Sequence, residues 1–220
     1  IYMKEVQICQ VIYKDIKVNR STAPMIRGYF ANKYNEIEQM HNHKDDKFIY
    51  RYPHIQYKVL NNNPVLLGIE DGAKIIQEND IFLDDVIKIG QKEFESNQRE
   101  ISFKKVKLGV SDKIIKYKFI TPWLALNQNN IKKYTAADLI EKEEILKRVL
   151  IGNILSFSKG MDYTVDETIK VKLDLNQIDV KFKQKEMLAF IGEFFINFEI
   201  PDNFAIGKGI SRGFGTVKKI

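Results

Sequence analysis

The order of elements legible in the sequence predicts an α+β protein of two tandem βαββαβ units, the second a variant that ends in a glycine-rich loop. Three observations predict it. The first half reads strand, helix, strand, strand, helix, strand; the second half again starts strand, helix, strand, strand; and 220 residues suit two small domains. This is the ferredoxin-like, or RRM-like, pattern, with expected domains at 1–110 and 111–220.

The elements follow from local signals. Residues 5–18 are rich in Val, Ile and Tyr and read as one long strand. Ser21 and Thr22 before Pro24 start a helix over 24–34, with the proline in the first turn, where its missing N–H costs nothing. Ile26, Tyr29, Phe30 and Tyr34 recur on it at helical spacing. The polar stretch 36–47 reads as loop that begins as a helical turn. A strand over 48–60, interrupted by Pro53, leads through the turn Asn61-Asn62-Asn63-Pro64 to a strand over 65–70. A short helix covers 73–79, and strands cover 101–108 and 113–126. The pattern Thr135 to Asp138 reads as a capping box before a helix with Ile145, Val149, Leu150, Ile154, Leu155 and Phe157 on one face, ended by Gly160. Alternation at 169–175 predicts a half-buried strand; Asn176-Gln177 reads as a turn into 178–182; 187–200 is a further strand closed by Pro201, and 213–220 is the last element.

Composition narrows the function classes. With 44% hydrophobic and 29% charged residues, the chain buries a core and is not disordered. The single cysteine, Cys9, allows neither an intramolecular disulfide nor a cysteine metal cluster, which fits a reduced, cytoplasmic setting. Neither a membrane-spanning stretch nor a signal peptide is expected. The net charge of +6 is segregated: residues 1–34, 101–118 and 203–220 carry +4, +5 and +4, against −5 and −2 for the two segments between them. Where these segments converge, they attract a polyphosphate; left apart, they are solvated strand faces.

Two places carry candidate chemistry. In Gly207-Lys208-Gly209-Ile210-Ser211-Arg212-Gly213-Phe214-Gly215, four glycines permit positive φ and close approach of backbone N–H groups to phosphate oxygens. Lys208 and Arg212 add charge, Ser211 a hydroxyl and Phe214 a stacking face. The Gly-Lys-Ser/Thr order of a P-loop and the dinucleotide fingerprint are both absent. A long hairpin connection explains the same glycines. The second place is His41-Asn42-His43. Imidazole, with an unperturbed pKa of about 6.5, both accepts and donates a proton near neutrality. In an extended segment i and i+2 lie on one side, so one phosphate fits between the rings. That suits RNA cleavage by internal transesterification, one base taking the 2′-OH proton and one acid protonating the 5′-oxygen. An incidental surface pair, or a metal pair completed by Asp45 or Asp46, is also compatible with these residues.

Taken together, the closing glycine-rich run, Gly192-Glu193-Phe194 through Asn197, Ile200-Pro201, Asn153-Ile154-Leu155-Ser156, Lys159-Gly160, Ile26-Arg27-Gly28-Tyr29, His41-Asn42-His43 and Arg51-Tyr52-Pro53-His54-Ile55-Gln56-Tyr57 span nearly the whole chain. In them the chain resembles the CRISPR-associated endoribonucleases that cut precursor CRISPR RNA within its repeats, the sixth Cas family, and within it the archaeal-type b subgroup. The resemblance implies two ferredoxin-like domains and metal-independent cleavage without a cofactor, giving a 2′,3′-cyclic phosphate (or 3′-phosphate) and a 5′-hydroxyl. By position, His41 and His43 match the paired active-site histidines, and Lys33 and Tyr50 match auxiliary catalytic positions. Arg27 matches a phosphate contact, and the RNA-binding set adds Gly207, Lys208, Gly209, Ser211, Arg212, Gly213 and Phe214. The implied partner is CRISPR repeat RNA, with no membrane; a homodimer and association with a CRISPR effector complex are both compatible. The alternative reading is a non-catalytic repeat-RNA-binding subunit of a CRISPR ribonucleoprotein.

Overall fold

The computed structural model describes residues 2–41, 43–44, 47–48, 52–83 and 85–220, with the backbone alone for His41, His43, Lys44, Lys47, Phe48 and Phe82. The chain is α+β and divides into two compact units. The first comprises Glu5–Val106 with Ile210–Gly213; the second comprises Ile1–Lys4, Lys107–Gly209 and Phe214–Ile220.

The first unit runs β1 (Lys4–Tyr13), α1 (Ala23–Lys33), α2 (Glu38–His41), β2 (His43–Lys44), β3 (Lys47–Phe48), β4 (Ile55–Leu60), β5 (Asn63–Ile69), α3 (Asp71–Glu78), β6 (Val86–Ile89), β7 (Lys92–Glu95) and the beginning of β8 (Arg99–Trp123). Its main sheet has the order β4-β5-β1-β8. With α1 and α3 as the two crossover helices, this is the ferredoxin-like arrangement. The hairpins β2–β3 and β6–β7 are additions, each a separate two-stranded ladder. One face of the sheet packs Cys9, Val11, Tyr13, Ile55, Tyr57, Val59 and Leu66 against Ile26 and Phe30 of α1 and Ile76 of α3. Burial pushes the Cys9 thiol up to about 12, so this cysteine is an inert core side chain.

The second unit continues β8 and adds α4 (Gln128–Ala136), α5 (Leu139–Gly160), β9 (Val171–Phe182), β10 (Lys185–Glu199) and β11 (Val217–Lys219). Its strands lie in the order β9-β10-β8-β11, the same spatial order as in the first unit. The second crossover helix is replaced by the stretch 200–216, which holds only a 3-10 turn at Ile210–Arg212. The core is aromatic: Tyr117 stacks on Phe194 with ring centroids 5.5 Å apart, Phe119 on Trp123 at 5.2 Å, and Phe157 meets Phe204 edge-on at 5.9 Å. None of the described helices is long and apolar enough to cross a membrane.

Several expectations are corrected. The break expected between 108 and 113 is absorbed as a bulge in one 25-residue strand: Ile196 faces Ile115 and Phe198 faces Val110, so residues 111–114 loop out of register. Asn176-Gln177 is not a turn; both residues pair in mid-strand, with Ile191 and Phe190. The reversal comes at Lys183 and Gln184, whose φ values of 49° and 63° make the two-residue turn that matches strand twist. The capping box is Asp138 with Glu141, three residues beyond the expected start, because Thr135 belongs to α4 and donates its hydroxyl to the Ile131 carbonyl. On α5, Leu146 takes the buried place assigned to Leu155, which is exposed. α4, capped by the Asn127 side chain on the amides of Asn129 and Asn130, and the β6–β7 hairpin were not read from sequence.

Strand β4 is buried on both faces, which places Gln56 and Lys58 in the interior on the side opposite Tyr57. Lys58 Nζ donates to Gln56 Oε1 at 2.6 Å, and Gln56 Nε2 donates to Tyr52 Oη at 2.9 Å and to the Pro53 carbonyl at 3.2 Å. Burial holds the Lys58 amine well below its ordinary 10.5. The unfolded chain therefore binds more protons at this site than the folded one in the window below pH 10.5, and stability rises with pH there. Urea unfolding at a series of alkaline pH values is expected to record that rise in the wild type and a flatter dependence in Lys58→Met.

Candidate functional site

The histidine pair follows from the end of α1. The Tyr34 amide closes α1 by donating to the Phe30 carbonyl, and the amides of Ile37 and Met40 then donate to the carbonyls of Tyr34 and Ile37, forming the short turn of α2. Met40 is 1% exposed and anchors that turn in the core. Its carbonyl accepts the Tyr57 hydroxyl at 3.1 Å. Burial raises the Tyr57 phenol, so it stays a proton donor. His41 is the last residue of α2 and His43 the first of β2, where it faces Phe48 across the ladder. Tyr50 lies outside the described residues, as do the side chains of both histidines.

Lys33, the last residue of α1, is exposed and sits above two rings, with Nζ 5.7 Å from the centroid of Tyr29 and 5.6 Å from that of Tyr34. Tyr29 donates its hydroxyl to the Val86 carbonyl at 2.7 Å, which ties α1 to the β6–β7 hairpin. Between them lies an open groove of about 600 Å³ whose lining includes Tyr29, Asn32, Lys33, Lys88 and Gly28. Sequence reasoning missed Lys88, because the hairpin that carries it was not recognised. Six residues before Lys33 on α1, Arg27 is half-buried; burial, and then the neighbouring Arg212 guanidinium, lower its pKa. Arg212 comes from the Ile210–Gly213 segment, which packs on α1 and β4 within the first unit. Two segregated positive segments, 1–34 and 203–220, thus meet here.

The rest of the glycine-rich run, residues 207–209 and 214–215, belongs to the second unit. Gly207, Gly209, Gly213 and Gly215 all have positive φ, as the glycine pattern requires. The reason is close packing as well as turning. A Cβ at Gly207 would lie 2.6 Å from Trp123 Nε1, and one at Gly215 would lie 2.0 Å from the Ile206 carbonyl oxygen. The amides of Lys208, Gly213, Phe214 and Gly215 donate to backbone carbonyls of Leu124, Ile210, Gly209 and Pro122. These four N–H groups are therefore committed to the fold, and the charge that the run offers a ligand comes from its side chains. Lys208 is exposed with Nζ 5.5 Å from the Phe182 ring centroid, Lys183 lies 5.8 Å from the same centroid, and Phe214 meets Phe182 edge-on at 5.6 Å. An aromatic pair under two ammonium groups can stack a base while a cation holds its phosphate. Across β11 and β8, Lys218 faces Lys118, a second meeting of two positive segments.

Two ferredoxin-like units in tandem, the second closed by a glycine-rich run over an aromatic and cationic surface, are the architecture that the chain shares with solved CRISPR-associated Cas6 proteins. More narrowly, the chain belongs to the Cas6b family: the Cas6b N-terminal domain matches residues 4–107 and the Cas6b C-terminal domain residues 109–220. It is similar to a solved Cas6b at 42% identity and a TM-score of 0.96, covering 99% of this chain and 100% of that one. It is also similar to a solved CRISPR RNA processing endoribonuclease Cas6b at 39% identity and a TM-score of 0.81, with the same coverage. An uncharacterized protein of Methanocaldococcus jannaschii is 46% identical over 113 residues, 51% of this chain and 77% of that protein.

Removing the Tyr57 hydroxyl leaves the Met40 carbonyl without this bond in the core. Tyr57→Phe is expected to cost about 1–3 kcal/mol of stability, read from the midpoint of urea unfolding, because an unpaired buried acceptor bears its full desolvation penalty.

Proposed function

We propose that this protein is the endoribonuclease that processes CRISPR RNA, cutting repeat RNA by metal-independent transesterification at a site built on His41 and His43. The observation that carries this reading is the match of both halves of the chain to the Cas6b domains, since a relative at 39% identity over nearly the whole chain is a CRISPR RNA processing endoribonuclease.

In this mechanism one imidazole removes the proton of a ribose 2′-OH, and the 2′-oxygen attacks the adjacent phosphorus. The bond from phosphorus to the 5′-oxygen breaks, and the other imidazole supplies the proton that the departing oxygen takes. The products are a 2′,3′-cyclic phosphate and a 5′-hydroxyl, and the two histidines leave the step with protonation states exchanged. Each proton transfer contributes on the order of 10²–10⁴ in rate. Lys33 lies at the end of α1, with residues 34–37 between it and α2, and its ammonium suits the negative charge that builds on the phosphorane. Tyr50 orients the 2′-OH. Arg27, Arg212, Ser211, Lys208 and Phe214, together with the glycines at 207, 209 and 213 that shape their backbone, form the RNA-binding set.

Incubation with the cognate repeat RNA in EDTA tests the chemistry. Cleavage is expected to persist, with a bell-shaped pH profile, because one histidine acts unprotonated and the other protonated. The His41→Ala, His43→Ala double variant is expected to lose at least about 10²-fold in rate. Loss of activity under chelation rejects the metal-free mechanism, and a wild-type rate in the double variant rejects the site. A separate measurement addresses binding. Lys208→Ala and Arg212→Ala are each expected to weaken repeat-RNA affinity and to lower the salt slope by about 1, while cleavage of already bound RNA changes little. Salt titration of the affinity checks it.

A further inference from the structure

Helix α5 contains a glycine, Gly152, well inside its span. A glycine in a helix interior is destabilising relative to alanine. Packing does not demand it, because a Cβ built there meets nothing within 4 Å. The space beside it is an open groove of about 450 Å³ between α4 and α5, lined among others by Asn127, Asn130, Lys133, Arg148 and Asn153, with Ile145 and Val149 as an apolar wall.

The groove presents donors. Trp123 Nε1 donates to Asn153 Oδ1 at 2.9 Å. Because an indole N–H only donates, this fixes the amide and leaves Nδ2 as the donor. Asn127 Oδ1 is likewise occupied, by the amides of Asn129 and Asn130 at 3.0 and 2.8 Å. Among the described residues neither Lys133 nor Arg148 has a carboxylate partner, whereas Lys147, beside Arg148 in sequence, pairs with both Glu143 and Glu144. No described acidic residue lines the groove. Two cations, amide donors and an apolar wall match a nucleotide: phosphate oxygens and base carbonyls accept, and a ribose or base face covers the Ile and Val side chains. The groove adjoins the glycine-rich run, since the same Asn153 oxygen lies 3.2 Å from where a Gly207 Cβ would stand.

We propose that this α4–α5 groove is an RNA subsite of the second unit. Lys133 and Arg148 hold a phosphate of a single-stranded segment, and Asn130 and Asn153 contact its base. Gly152 is the residue that keeps the groove open. The inference rests on RNA being the substrate.

Fluorescence anisotropy with labelled repeat RNA, joined to single-turnover cleavage at saturating protein, tests it. The Lys133→Gln, Arg148→Gln variant is expected to bind about tenfold or more weakly, and its slope of log affinity against log salt should fall by about 1.4, as two single-strand phosphate contacts require. Its cleavage rate once RNA is bound should stay within about twofold of wild type. Gly152→Trp keeps both cations but fills the groove, and should weaken binding to a similar degree. Wild-type affinity and slope in the double variant, or wild-type affinity in a folded Gly152→Trp, overturns the subsite. If those variants match a wild type that cuts repeat RNA, the subsite alone falls. If the wild type binds repeat RNA but does not cut it, the proposed function falls, and the subsite is judged by the same affinity comparison.

Discussion

The first unit depends on a single constraint, the burial of strand β4 on both faces. Alternation then sends Ile55, Tyr57 and Val59 into the helix-side core and Gln56 and Lys58 to the other side. On the first face, the Tyr57 ring stacks on Phe30 of α1 at 5.8 Å while its hydroxyl holds the Met40 carbonyl. This bond fixes the backbone one residue before His41. A segment of four residues has too few internal hydrogen bonds to hold itself as a helix; α2 exists because Met40 and Tyr57 pin it. On the second face, the chain from Lys58 through Gln56 to Tyr52 fixes the backbone that enters β4 from the Tyr50 side. The strand thus grips both ends of the segment that carries the proposed catalytic side chains.

The same strand explains why the C-terminal run includes a piece that belongs to the first unit. Ile210–Gly213 packs on β4 and α1, and Gly213 comes so close that an added Cβ would stand 2.8 Å from Ala23 Cβ. The run therefore does two kinds of work. Its glycines and committed amides lock backbone against backbone, and its cations stay available: Arg212 beside Arg27 in the first unit, Lys208 over Phe182 in the second. A phosphate cradle made of open amides, as in a P-loop, is a poor description of a loop with four of its N–H groups already bonded to carbonyls.

What the sequence made legible was whatever local chemistry determines. The strand–helix–strand–strand order, the proline start of α1 and the left-handed glycines depend on neighbouring residues, and each can be read there. The missed features depend on distant partners. Nothing near residue 109 says that a break signal becomes a bulge, because the bulge is defined by the register of β10. Lys183-Gln184 adopts a turn usually given to Asn-Gly, because the long β9–β10 ladder on either side enforces it. The reading of 48–60 as a strand gave no sign that the face carrying Gln56 and Lys58 is interior. For the site, the His pair and the cations were visible as letters, whereas Tyr57 as the anchor of α2, and Lys88 and Asn153 as groove residues, required the packing.

The net charge of +6 takes its meaning from where folding brings like charges together. Like charges in contact destabilise a fold by up to about 1 kcal/mol for a cross-strand pair. This protein accepts that cost in places where it could be avoided: Lys118 opposite Lys218 in the second unit, and Arg27 beside Arg212 in the first. Elsewhere it neutralises its cations locally, Lys116 with Glu193, Lys219 with Glu199 and Lys105 with Glu5. The C-terminal positive segment takes part in both like-charge meetings, one in each unit. A polyanion is the ligand that turns such repulsion into attraction, since every phosphate placed beside a pair relieves the repulsion and releases counterions as well. The same logic separates the two helical grooves from ordinary surface: the one beside Gly28 and the one beside Gly152 each hold two cations next to a glycine that packing does not require. In both units, stability is given up at the first crossover helix where room and positive charge coincide, which is the pattern expected of a surface shaped for a nucleic acid strand.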